Sequence, residues 1–144
     1  MSSISQDYNH LYIVVYGVEL ASTQSYKWLT NITSSVYTCQ QIALTNTVAG
    51  QRNIAFVNNY DDTVEQPKST GGINILTLLI QNYASTSARK TYTSQFGFDS
   101  ASNTGRYVDI NGFINSTTAI NSFTFTNNSG ATQNAGTMLI YGVK

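Results

Sequence analysis

Charged residues are scarce in this chain. Seven Lys and Arg stand against seven Asp and Glu over 144 residues, 10% in all, with a formal net charge of zero. A nucleic-acid binder gathers Lys and Arg into a basic stripe, whereas here they are scattered along the chain, so neither nucleic acid nor an anionic membrane surface is an expected partner. A single cysteine, Cys39, excludes an internal disulfide and leaves the redox compartment open. There is one proline and one histidine. The longest apolar stretches, Leu11–Val15 and Ile75–Ile80, fall far short of the roughly 20 residues that span a bilayer as a helix. Met1 to Asn9 offers neither a basic start nor an apolar run, so no signal peptide is expected.

Uncharged polar residues take up the space that charge leaves. Ser, Thr and Asn make up about a third of the chain, and there are ten tyrosines. Thr, Tyr, Val and Ile suit strands, while Asn, Gly and Ser suit turns. Residues 1–8 read as a flexible N-terminal arm and 9–144 as a single domain, long enough to bury an ordinary core. Short apolar or alternating runs follow at Leu11–Leu20, Tyr26–Ile32, Val36–Leu44 and Asn53–Asn58. After a loop from Tyr60 to Gly72, which holds the only Pro, come Ile73–Tyr83, Lys90–Phe98, Arg106–Ile114, Ile120–Asn127 and Thr137–Val143. Ile73–Tyr83 is apolar at both parities and predicts a central strand buried on both sides. In Tyr26–Ile32, Tyr26, Trp28 and Thr30 share a face. Eight or nine short strands separated by turn signals predict an all-β, antiparallel β-sandwich. Its expected core comprises Val14, Ile42, Leu44, Phe56, Leu78, Ile80, Phe125 and Leu139.

No residue set points to catalysis. His10 could serve a Ser-His-Asp triad, but no Gly-x-Ser-x-Gly elbow presents a nucleophile. Cys39 occupies an alternating strand position, as a small hydrophobe does. Asp61, Asp62 and Glu65 could offer oxygens to Ca²⁺, yet their spacing fits no EF-hand loop, and a polar loop is where carboxylates ordinarily sit. Asp99 and Asp109 are too isolated to form the carboxylate pair a glycosidase needs. The Asn-x-Ser/Thr triplets at Asn31, Asn115 and Asn127 are expected by chance in such a composition. Neither an enzyme nor a metal or cofactor is expected. The tyrosines and Trp28 are candidates for a protein interface or a sugar-stacking patch.

The second half of the chain carries a resemblance. Asn82-Tyr83-Ala84-Ser85-Thr86, Lys90 and the run from Thr117 to Phe125 resemble a pattern in bacteriophage virion structural proteins of jelly-roll type. The closing Gly136-Thr137-Met138-Leu139-Ile140-Tyr141-Gly142-Val143 is similar to the ending of that group, and Tyr8–Val14 looks like its first strand. The likeness covers the last 60 or so residues well and the first half loosely. Phe113 stands where the group often has tryptophan, and Tyr26–Asn31 where it often has an FNGD-like segment.

The resemblance implies a virion location and a jelly-roll fold. It also implies a capsid decoration (cement) protein that oligomerises on the head surface beside the major capsid protein or another virion protein. The alternative is a receptor- or glycan-binding domain of a fibre or tail. Low charge and surplus tyrosine predict self-association, as a homotrimer. Met1–Asn9, with Ile4 its one apolar residue besides Met1 and Tyr8, is expected to tether the protein to a neighbouring subunit or the capsid shell, so deleting residues 1–8 should leave Tm nearly unchanged while weakening assembly. The Tyr141-Gly142 step is expected to let the last strand close against another backbone.

Overall fold

The computed structural model describes residues 3–22, 26–32, 37–45, 49–57, 60–61, 71–72, 74–100, 104–127 and 130–144; between 37 and 61 it describes the backbone alone. These residues form ten strands and no helix: β1 His10–Leu20, β2 Tyr26–Thr30, β3 Tyr37–Thr45, β4 Ala49–Val57, β5 Tyr60–Asp61, β6 Asn74–Gln81, β7 Lys90–Asp99, β8 Gly105–Ile114, β9 Phe123–Asn127 and β10 Gln133–Val143. Each strand segment expected from sequence overlaps one of these strands, with Val36, Asn58 and Ile73 outside the described residues, and the two-residue β5 falls within what reads as loop. Every pairing is antiparallel. A seven-stranded sheet runs β10-β1-β6-β7-β8-β3-β4, and a three-stranded one runs β5-β2-β9.

One core joins the two sheets. The large sheet contributes Leu11, Ile13 and Val15 from β1, Leu76, Leu78 and Ile80 from β6, Tyr92 and Phe96 from β7, and Val108 and Ile110 from β8. The small sheet answers with aromatics. Trp28 is fully buried, meeting Tyr92 edge-on at 5.1 Å and stacking on Phe123 at 6.0 Å. Tyr26 lies 5.5 Å from Phe96 and 5.3 Å from Phe125. Tilted and edge-on pairs at such separations add to the stabilisation from area burial alone. The expected shared face of Tyr26, Trp28 and Thr30 is the buried one.

A bulge sets which β1 residues face inward. Tyr16 pairs with Thr137, but the next pair is Glu19 with Ala135, so β1 carries one residue more than β10 there. Gly17, at φ +61°, takes the left-handed conformation that glycine adopts without a Cβ clash. The inward residues change from odd (Leu11, Ile13, Val15) to even (Val18, Leu20) across it. Asn74 clamps the bulge: its Oδ1 accepts from the Val18 N–H at 2.8 Å, and its Nδ2 donates to the Val18 carbonyl at 2.9 Å. The Tyr26 hydroxyl donates to the same carbonyl at 3.1 Å.

Several core expectations are corrected. Leu78 and Ile80 are buried as expected. Val14 is not in the core, because the bulge reverses the parity that its alternation with Val18 and Leu20 suggests. Leu139 is 39% exposed, since Met138 and Ile140 take the inward positions of β10. Phe125 is half-buried and packs against the core edge. β6 is central in the strand order but buried on one face only, with Ile75 on the other 48% exposed. The side chains of Ile42, Leu44 and Phe56 lie outside the described residues.

The arm is described from residue 3. Ile4 packs against the core, and its N–H donates to the Asn121 carbonyl at 3.0 Å. The Gln6 side chain donates to the Ile120 carbonyl at 3.0 Å, and the Tyr83 hydroxyl donates to the Ser5 carbonyl. Gly142 receives the Tyr8 ring rather than a backbone; a Cβ at that position would clash with the ring. Residues 3–8 thus have a receiver within their own chain.

Candidate interaction face

The strand register lays out the outward face of the large sheet row by row. Across β10, β1 and β6 the rows are Val143–His10–Gln81, Tyr141–Tyr12–Leu79, Leu139–Val14–Thr77 and Thr137–Tyr16–Ile75. Across β7 and β8 they continue as Thr91–Phe113, Thr93–Asn111, Gln95–Asp109 and Gly97–Tyr107. The exposed large hydrophobic side chains are Tyr12, Tyr16, Ile75, Tyr107, Phe113, Leu139, Tyr141 and Val143, all on this face, together with Tyr8. The Tyr12 and Tyr141 rings lie 6.4 Å apart, tilted by 32°.

Toward the middle the face turns polar without becoming charged. Thr91 donates to the Gln81 side chain at 2.6 Å, and Thr93 to the Asn111 side chain at 3.2 Å. Asp109 is the one carboxylate in the rows above, and its Oδ1 is enclosed with no hydrogen-bond partner among the described residues. The apolar patch over β10, β1 and β6 borders these paired hydroxyls and amides. An apolar patch rimmed by polar residues is a mark of an interaction site.

Two clefts lie where residues 3–9 meet the domain. One, of about 310 Å³, is lined by Ser3, Ile4, Ser5, Tyr8, Leu11, Tyr83, Ile140 and Gly142. The other, of about 240 Å³, is lined by Gln6, Asp7, Tyr8, Asn9, Asn82, Ala84 and Ser85. Asn82 holds a left-handed backbone, φ +55°, at the start of the turn that follows β6.

The residues singled out from the sequence are dispersed. His10 opens β1, half-buried, and its Nδ1 accepts from the Asn82 N–H at 3.3 Å. Cys39 pairs with Gly112 and Ile54 in the sheet, but its side chain lies outside the described residues. Asp61 pairs with Lys27 in β5; Asp62 and Glu65 lie outside the described residues. Asp99 ends β7 and Asp109 sits mid-β8, so they form no pair. Asn31 and Asn127 do structural work. Asn31 bridges the Ala119 carbonyl, at 3.0 Å, and the Asn121 N–H, at 2.9 Å. Asn127, buried, holds both main-chain groups of Ala131. Asn115 directly follows β8.

Trp28 is no surface platform, because it forms the centre of the core, as do Tyr26, Tyr83 and Tyr92. Burial, with the Glu19 charge adding to it, pushes the Tyr26 phenol up to about 12. Lys90 is 0% exposed, and its Nζ donates to the carbonyls of Ser85 (2.7 Å), Ala88 (3.2 Å) and Ser116 (3.3 Å). Burial lowers its pKa below the ordinary lysine value. This ammonium ties the turn after β6 to the segment after β8.

The outward tyrosines are what sequence reading did not locate. The surplus of tyrosine signals a surface role, but only the register separates Tyr12, Tyr16, Tyr107 and Tyr141 from the buried Tyr26, Tyr83 and Tyr92. Among the described residues no helix is long and apolar enough to cross a membrane. Compared with models of known protein families and with curated proteins, the sequence matches none.

Proposed function

We propose that this chain is a non-enzymatic structural protein of a bacteriophage virion, a capsid decoration protein whose β-sandwich associates with its own kind and with the head surface. The carrying observation is the uncharged, tyrosine-rich outward face over β10, β1 and β6. Tyrosine-rich surfaces depleted of charge are what interface cores are made from. Near-zero net charge leaves little repulsion between copies. The two antiparallel sheets meeting over an aromatic core support the sandwich. Their partition, seven strands against three, departs from the paired four-stranded sheets of a jelly roll. The fold reading therefore attaches to the sandwich.

The virion location rests on the resemblance in the second half of the chain, and the trimer on low charge and surplus tyrosine. An antibody against the recombinant protein, used on purified particles, tests the location: labelling of heads supports decoration, and labelling of tail tips supports the fibre reading. Labelling of neither overturns both.

A second reading, saccharide binding, draws on the cleft at Gln6, Asp7, Tyr8, Asn9, Asn82 and Ser85. Amides, a carboxylate and an exposed tyrosine ring present the acceptors, donors and stacking surface that a neutral sugar uses. Glycan-array binding that is lost in Asp7→Ala would favour it.

A further inference from the structure

β10 is an edge strand without the usual protection. It ends the strand order of the large sheet, and among the described residues only β1 pairs with it. Eleven residues long, from Gln133 to Val143, it holds no charged residue and no proline. Its outward side chains Leu139, Tyr141 and Val143 are exposed, Tyr141 by 49%. Natural edges are blunted by lysine, proline, brevity or a covering segment, because unpaired main-chain groups template another strand. The opposite edge, β4, includes Arg52 in its sequence.

We propose that the β10 edge pairs antiparallel with β10 of a second copy, about a two-fold axis through Ile140. In this register Ile140 faces its counterpart on the core side. Leu139 lies opposite the second copy's Tyr141, and Thr137 opposite its Val143, on the outward side. No charge lies opposite another over Thr137–Val143, since the segment has none. A second copy therefore meets an uncharged strip with an uncharged strip, whereas a partner strand bearing Lys or Glu would find no counter-charge. The outward row Leu79–Tyr12–Tyr141 would run on into Leu139 and Val14 of the second copy, so the tyrosine patch becomes continuous across the boundary. Directly opposed aromatic and aliphatic side chains are the unit of cross-strand stabilisation.

The contact rests on the self-association proposed above. It joins copies pairwise, and can link two trimers as readily as two monomers.

Disulfide trapping tests it in a Cys39→Ser background. Antiparallel partners stand at Cα separations that a disulfide spans. Ile140→Cys should give a covalent dimer under mild oxidation, whereas Thr93→Cys, mid-sheet on the outward face, should not. Hydrogen exchange on the unaltered protein keeps the test independent of that variant: about half of the β10 amides point outward, and they should be protected as well as those of β1. A dimer from Thr93→Cys but not Ile140→Cys would overturn edge pairing and leave face-mediated association standing. Rapid exchange at alternate β10 amides in an oligomeric sample would also overturn it. A monomer would contradict both readings.

Discussion

On β1 and β6 both faces of the large sheet carry hydrophobic side chains, but only one of them is packed. Inward, Leu11, Ile13, Val15, Leu76, Leu78 and Ile80 lock under the Trp28 cluster. Outward, Tyr12, Val14, Tyr16, Ile75 and Leu79 stand on the same strands in the same register. The difference is what covers them. The three-stranded sheet roofs the inner face, and among the described residues nothing roofs the outer one. Apolar alternation therefore finds the strands but does not say which side of each becomes the core.

The contrast is broken most sharply from the inside. Trp28→Ala empties the centre of the aromatic cluster and should cost about 3–5 kcal/mol, the range for a large aromatic removed from a packed core. Tyr12→Ala, on the same sheet's outer face, should stay within about 1 kcal/mol; chemical denaturation of the two variants side by side checks the difference. An equal loss would mean that the faces are not distinct.

Alkaline pH probes the inner face through Tyr26. Its folded pKa lies above the unfolded value, so its neutral form is favoured by folding. The associated stability is complete below pH 10.0 and is lost as pH rises toward about 12. A shift of this size corresponds to about 2–3 kcal/mol. Tyr26→Phe should flatten the fall in stability over that window, read from denaturation midpoints at successive pH values.

Asn74→Ala removes the clamp on Val18 and leaves its buried main-chain groups with one partner fewer. The expected cost is about 1–3 kcal/mol. It should be seen as a drop in Tm together with faster exchange near Gly17. The smallest effect has the opposite sign. Ser94 is buried opposite Leu78 and Ile110, and its hydroxyl has no hydrogen-bond partner among the described residues. Ser94→Ala should raise stability by about 1 kcal/mol, as expected when an unsatisfied buried hydroxyl is removed.

These sizes show what the sequence could and could not convey. The strand segments were legible because Asn, Gly and Ser clusters bound each run, and Tyr26, Trp28 and Thr30 could be placed on one face because β2 alternates cleanly. β1 could not be read in the same way. Leu11–Val15 is apolar at both parities, and Gly17 reverses the inward set, so Val14 falls on the wrong side. In β10, Met138-Leu139-Ile140 offers the same ambiguity. The clamp by Asn74 spans 56 residues of sequence, beyond any local pattern. Ile4, the arm's one apolar residue besides Met1 and Tyr8, seats residues 3–8 on the domain, a contact that composition of the arm alone does not signal. The candidate interaction face was visible only as a surplus of tyrosine without an address.

The account's central claim is that the outward face over β10, β1 and β6 is an assembly surface. Sedimentation velocity on the wild type and on the double variant Tyr12→Lys/Tyr16→Lys, at matched micromolar concentration, tests it most directly. The account predicts an oligomer for the wild type and, for the variant, a folded species no larger than the β10-paired dimer, with an unchanged circular dichroism spectrum. A wild type that sediments as a monomer, or a variant that assembles equally well, would contradict it.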